Sequence, residues 1–135
     1  MIDGSIVEVP RQRNTREENK QIKGGKGGEL WNPEEGDTED EKKRKANKKR
    51  RKDTDARWVK KGGAKHFGYK NHTKVDQGSK FIKKGVTTKA SDHDSKPVKD
   101  LVDESDRGQD LFADSAFTEC TAEWSVLRGT RPSIP

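Results

Sequence analysis

The sequence predicts an α/β chain: a small mixed sheet, one crossover helix and a long, disordered charged insertion. Three observations predict it. Apolar residues come in short runs, several of them alternating at period two as strands do. One stretch with helical spacing lies between two strand-like stretches. Charge is laid down in blocks, one of them far too polar to bury anything. Composition sets the scale. Apolar residues are 25% of the 135-residue chain and charged residues 40%. Leu, Ile, Val and Phe number only 21 of 135 residues, about 16% and so below the roughly 20% at which burial offsets ordering entropy. One domain at most, with a modest core, fits this length. No apolar run reaches the ~18 residues of a membrane span. Residues 1–5 have neither a charged leader nor an apolar signal core, so a cytoplasmic location is expected. The single cysteine, Cys120, excludes an internal disulfide and a Cys-based zinc site.

Residues 2–9 are rich in β-branched side chains and end at Pro10, which marks a first strand. Residues 11–54 form the insertion, flexible through Gly24-Gly25-Lys26-Gly27-Gly28 and then acidic and basic in turn. Glycines here lack the spacing and the closing Lys-Ser/Thr of a phosphate loop. Order resumes near Asp55. Over residues 66–75, Phe67, Tyr69, Thr73 and Val75 fall on one side and Gly68, Lys70, His72 and Lys74 on the other. That alternation predicts a half-buried strand with one cationic face. Asp76-Gln77-Gly78-Ser79 is a turn into a second strand at 81–88, giving a hairpin. The loop at 90–95 caps a helix over 96–106, with Val98, Leu101 and Val102 at helical spacing. Residues 109–114 are a short strand ending on Asp114. A helix between strands makes a right-handed crossover, so this last strand is expected parallel to the first and beside it. Asp3 and Asp114 then approach one another, at a strand spacing of about 4.8 Å.

Net charge is +6 overall, but −5 over residues 1–41, +16 over 42–90 and −7 over 91–123. A basic middle of this density is a footprint for phosphate backbones. Within it, residues 42–52 hold nine cations in eleven positions, read either as a solvated loop or as a phosphate-gripping arm that includes Arg50 and Arg51. Like-charge repulsion and the lack of apolar side chains predict no regular structure there. Lys60, Lys61, Lys65, Lys70 and Lys74 are the candidate DNA-contact residues outside this run, gripping phosphates without reading sequence. Two carboxylates at a sheet end suit divalent-metal phosphoryl chemistry, since Mg²⁺ takes oxygen ligands and keeps several waters. By spacing alone, an aspartate near a strand end, such as Asp3 or Asp114, is more often a turn former. His66 and His72 are about 20 Å apart on a straight strand and cannot share one ion. Asp92-His93-Asp94 is read as a cap more readily than as a metal site.

Five pieces, in order, carry a family resemblance. They are residues 1–13 with the Val9-Pro10-Arg11-Gln12-Arg13-Asn14 exit, residues 53–62, residues 66–76, Ala90-Ser91-Asp92-His93-Asp94-Ser95, and Phe112-Ala113-Asp114-Ser115-Ala116-Phe117. Together they resemble the catalytic domain of bacterial insertion-sequence DDE transposases. That resemblance covers residues 1–122 as a partial catalytic domain and leaves 123–135 as a divergent, disordered tail. It implies an RNase H-like α/β core that cuts and joins DNA strands, acting on element ends with Mg²⁺ or Mn²⁺ held by three acidic residues. It also implies oligomeric action in the cytoplasm, at the nucleoid. Asp3 takes the first acidic position and Asp114 the second. The third, a glutamate on a later helix, has no counterpart: Glu119 and Glu123 follow Asp114 too closely. A truncated, catalytically incomplete fragment that binds DNA is therefore the expectation. The alternative is a small basic nucleic-acid-binding protein without catalysis.

Overall fold

The structure is a computed structural model that describes residues 1–114, 117 and 132–133. The tail beyond these, with Glu119, Cys120 and Glu123, lies outside the described residues. Two compact units divide the chain: Pro10–Ala56 is one, and Met1–Val9 with the described residues from Arg57 onward is the other.

In the larger unit, β1 (Ile2–Glu8), β2 (Arg57–Lys61), β3 (Ala64–Val75) and β4 (Ile82–Lys89) form an antiparallel sheet. β3 is its axis. β1 follows one edge of β3, from Ile2 opposite Lys74 to Glu8 opposite Gly68. Arg57 of β2 also pairs with Gly68, and β4 pairs with residues 69–75, so β2 and β4 share the other edge end to end. Gly68 is required where the strands converge. Its φ is +155°, and a Cβ there would lie 2.1 Å from the Val7 carbonyl oxygen. The expected 66–75/81–88 hairpin is present. Asp76 closes its turn, accepting from the Ser79 N–H at 2.9 Å and the Ser79 hydroxyl at 2.5 Å. The β2–β3 hairpin is additional, turning on Gly62 (φ 58°) and Gly63 (φ 82°), as a two-residue type I′ turn requires.

After β4 the chain forms a short helix, α3 (Val98–Leu101), a 3-10 turn at Glu104–Asp106, and β5 (Leu111–Phe112), which pairs in parallel with β6 (Pro132–Ser133). The expected helix over 96–106 breaks at Val102, because Asp103 caps the following turn through the Ser105 N–H. Immediately after β5, Ala113 bridges Ile2 in parallel. The class is mixed α/β, compatible with a partial RNase H-like core. Its apolar centre is as small as composition demands: Ile2, Val98, Leu101, Val102 and Phe117, with Val86, Leu111 and Ala113 against it.

One face of β3 is turned opposite to expectation. Ile2 pairs with Lys74, Gly4 with His72, and His72 with Val86, and directly opposed residues share a face. The face of Lys70, His72 and Lys74 is therefore the one covered by α3 and its flanking loops, with His72 and Lys74 buried. Ile2 and Val86 supply the apolar ground for that covering, and acids of the covering segment neutralise the lysines. Lys70 Nζ reaches the Asp92 carbonyl and the Asp94 carboxylate, each at 2.8 Å. Lys74 Nζ reaches Asp103 at 3.1 Å and Asp106 at 2.8 Å.

The inserted unit departs from the irregular chain expected of it, having α1 (Arg16–Lys23), a 3-10 turn at Gly27–Glu29 and α2 (Glu39–Arg51). Thr15 with Glu18 and Thr38 with Glu41 form capping boxes at the two helices. In α2 the acids occupy the first turn and the cations the last, so the charge blocks complement the helix dipole. Cross-links then stand in for an apolar core. Glu18 accepts from Trp31 Nε1 at 2.9 Å and from Lys48 Nζ at 2.7 Å, and Lys48 and Lys52 lie 5.7 and 5.5 Å from the Trp31 ring centroid.

Candidate functional site

A parallel bridge between Ile2 and Ala113 lies one residue before each candidate carboxylate. Asp3 follows Ile2 and Asp114 follows Ala113, so each aspartate stands one residue past a single parallel bridge. Ile2 and Ala113 belong to the core side, and strand alternation sends Asp3 to the opposite face of β1. Both aspartates are exposed. Asp3 Oδ1 accepts from the Gly4 N–H at 2.8 Å, which orients its carboxylate, and the Asp114 carbonyl accepts from the Phe117 N–H at 2.9 Å.

The donor set at this point is oxygen only, which fits a hard cation such as Mg²⁺ or Mn²⁺ keeping part of its water shell. Among the described residues, no three His, Cys, Asp or Glu side chains come together as a metal-binding group. Two exposed carboxylates, each one residue past the Ile2–Ala113 bridge, are thus what the described chain offers.

The histidines are engaged elsewhere. His72 Nε2 meets Thr88 Oγ1 at 3.0 Å and the ring stands edge-on to Phe117, with centroids 6.0 Å apart. Burial pushes the His72 pKa down, which Asp94 partly offsets. His66 Nδ1 meets the Glu8 carboxylate, and His93 Nδ1 meets Ser95 Oγ at 2.8 Å. Asp92 pairs with Lys96 at 2.8 Å and does not cap α3, whose N-cap is Pro97 without a side-chain bond.

The cationic candidates divide. Lys70 and Lys74 are held in the ion pairs described above and leave the DNA-facing set. Lys60, Lys61 and Lys65 are exposed at the tip of the β2–β3 hairpin, and Lys60 is the direct cross-strand partner of Lys65. Like charges set opposite one another are unfavourable in a hairpin and are relieved by an anion. This tip lies about eight residues along β3 from Thr73, the cross-strand partner of Asp3, or roughly 26 Å at 3.3 Å per residue. The basic tip and the carboxylate pair are therefore separate features of the sheet, not the walls of one groove. Arg50 and Arg51 are exposed on α2 in the other unit.

The structure adds a cleft of about 350 Å³ with no counterpart in the sequence reading, lined by Met1, Lys74, Asp76, Lys83, Asp106 and Phe112 among others. Its wall is the ion-paired turn that covers β3, a packing feature with no sequence signature.

No helix among the described residues is long and apolar enough to cross a membrane. No solved structure matches this chain. A transposase for insertion sequence element IS1106 from Neisseria meningitidis serogroup B is 36% identical over 66 residues, which are 49% of this chain and 23% of that protein. The chain thus aligns with about a quarter of this relative's length. The family model for the transposase DDE domain matches residues 1–126, nearly the whole sequence and both aspartates. This match over more than nine-tenths of the sequence places the chain in the transposase DDE domain family.

Proposed function

We propose that this chain supplies the first two acidic ligands of a DNA strand-transfer site, Asp3 and Asp114, and grips the DNA backbone through lysines of the β2–β3 hairpin tip. The observation that supports the reading most is the parallel Ile2–Ala113 bridge, since Asp3 and Asp114 each follow a bridged residue and both are exposed. Asp3 and Asp114 would hold one Mg²⁺ or Mn²⁺ ion, leaving its remaining positions to water and a phosphate oxygen. When bound, such an ion polarises the scissile phosphate and lowers the pKa of an attacking water or hydroxyl. The protein's own part is positional. The Gly4 N–H orients Asp3, and Lys60, Lys61 and Lys65 hold phosphates without base readout. A third ligand is outside this set, so the expectation is weak metal binding and no cutting by this chain alone.

Paramagnetic broadening tests this reading. Mn²⁺ added to labelled protein should broaden the Asp3 and Asp114 resonances before those of other acids. Asp3→Asn or Asp114→Asn should remove the selectivity while leaving DNA binding in place. Uniform broadening over all exposed acids, with DNA binding intact, would reduce the chain to a basic nucleic-acid-binding protein. DNA cleavage by the wild-type chain that Asp114→Ala abolishes would overturn the incomplete-site part of the proposal.

A further inference from the structure

α2 carries its cations on two faces with different fates. On one face, Lys42 pairs with Glu39 at 3.1 Å, Lys45 with Asp37 at 2.7 Å and Lys48 with Glu18 at 2.7 Å. Lys49 reaches Asn32 Oδ1 at 2.6 Å, and Lys52 reaches Asn14 Oδ1 and the Arg13 carbonyl, each at 2.6 Å. Lys42 pairs within the helix, and the other four knit α2 to the rest of its own unit. On the opposite face, Lys43, Arg44, Asn47, Arg50 and Arg51 are all exposed, and no side chain among the described residues pairs with them.

The free set is ordered. At about 100° per residue, Lys43 and Arg50 fall within roughly 20° of each other, as do Arg44 and Arg51, and the two pairs are about 100° apart. Asn47 lies between them. The helix therefore presents two cationic rails, each with two charges about 10 Å apart along the axis, flanking one amide side chain. A helix lying in the B-DNA major groove needs this layout: the groove, about 12 Å wide, admits a helix, phosphates line both walls and base edges form the floor. The paired face fixes the rails to a folded unit, so they are presented without further ordering cost. Acids occupy the first turn of α2, so repulsion from phosphate leaves the stretch from Lys43 to Arg51, about two and a half turns, to enter.

We propose that the inserted unit is a DNA-docking module, and that α2 enters the major groove of duplex DNA with Lys43 and Arg50 on one phosphate wall and Arg44 and Arg51 on the other. This deepens the DNA-binding reading above and rests on it for the partner. It assigns the contact to a site apart from the carboxylates and from the hairpin tip.

The test uses the full chain and a fluorescent 20-base-pair DNA duplex, with affinity read as a function of salt. Lys43→Gln, Arg44→Gln, Arg50→Gln and Arg51→Gln are combined, Gln being a good helix former. The control removes the same charge from exposed positions of the other unit: Lys80→Gln, Lys84→Gln, Lys99→Gln and Arg107→Gln. Each lost phosphate contact lowers the slope of log K against log salt by about 0.9, so the α2 variant should lose about 3 to 4 from the slope and on the order of 100-fold in affinity at moderate salt. The control should lose far less. Circular dichroism of the α2 variant should match wild type. A second measurement needs no variant: methyl green, which occupies the major groove, should displace the wild-type chain, and netropsin, which occupies the minor groove, should not. Equal losses in the α2 and control variants, displacement by netropsin alone, or equal binding to duplex RNA, whose deep major groove excludes a helix, would each overturn the proposal. If only α2 is silent while Lys60→Gln, Lys61→Gln and Lys65→Gln together weaken binding, the DNA reading stands and this assignment falls. If the wild-type chain binds no DNA, both fall.

Discussion

Lys74 shows how a single residue changes meaning between sequence and structure. On an alternating strand among lysines it reads as part of a solvated cationic face. In the fold it opposes Ile2, a buried residue of the core, and its ammonium is buried between Asp103 and Asp106. Burial works against its charge, but the hydrogen bonds to Asp106 and Asp103 overcome this and raise its pKa. In return, Asp103 is held well below the ordinary carboxylate range, first by the Ser105 hydroxyl and then by Lys74. Lys74→Gln should therefore cost stability, about 2 kcal/mol for charge-assisted hydrogen bonds at a partly exposed pair, and leave DNA affinity and its salt slope unchanged. Urea denaturation and the salt titration read the two separately. Weaker DNA binding at unchanged stability would restore the cationic-face reading. The sequence hides this because alternation tells which residues share a face, not which face is covered. That depends on where the acids of residues 92–106 come to rest.

Among the elements, those with apolar periodicity were legible and those held by charge were not. The 66–75/81–88 hairpin and the parallel return of Ala113 beside Ile2 follow from strand alternation, turn residues and crossover handedness. The capping signals of α2 are present as Thr38 and Glu41, but the run of nine cations that follows repels itself and by its own chemistry favours solvated chain. What decides for the helix is tertiary: Glu18, thirty residues before Lys48, sits under the Trp31 indole N–H and two lysines. Burial opposes its ionisation, yet the bonds from Lys48, the Thr15 N–H and Trp31 bring its pKa from 4.5 down to about 2. A carboxylate depressed in the folded state stabilises above its unfolded pKa and loses that contribution as pH falls through its folded value. Helicity of the inserted unit should therefore decline between pH 4.5 and about 2, as followed by circular dichroism. Asp37 and Glu41 are also lowered, the first by the Glu34 N–H and the second by the Thr38 N–H, so the decline is shared. Glu18→Gln isolates its part: the variant should start less helical at neutral pH and titrate over a smaller amplitude. An unchanged acid profile would remove Glu18 as the hub.

At the scale of the whole molecule, the chain is a sheet interrupted by a second unit, and the point of interruption is defined. Glu8 ends β1 opposite Gly68, and Arg57 starts β2 opposite the same glycine on its other edge. The two ends of the insertion therefore meet the sheet two strand spacings apart, about 10 Å, a gap that four or five extended residues span. The sheet's small core, Ile2, Val98, Leu101, Val102 and Phe117, draws no residue from Pro10–Ala56. Replacing Pro10–Ala56 with a five-residue Gly/Ser linker should thus leave the β-sheet signal and the Mn²⁺ selectivity for Asp3 and Asp114, while removing most of the helical signal. Because shortening a flexible connection changes closure entropy only slowly, the cost to the sheet should be about 1 kcal/mol or less, readable in urea. DNA binding divides the outcomes further. The deletion should keep the weak contact of Lys60, Lys61 and Lys65 and lose the steeper part of the salt dependence that α2 contributes. A deletion variant that fails to form the sheet would show that the inserted unit is part of the folding core and not a module carried on it.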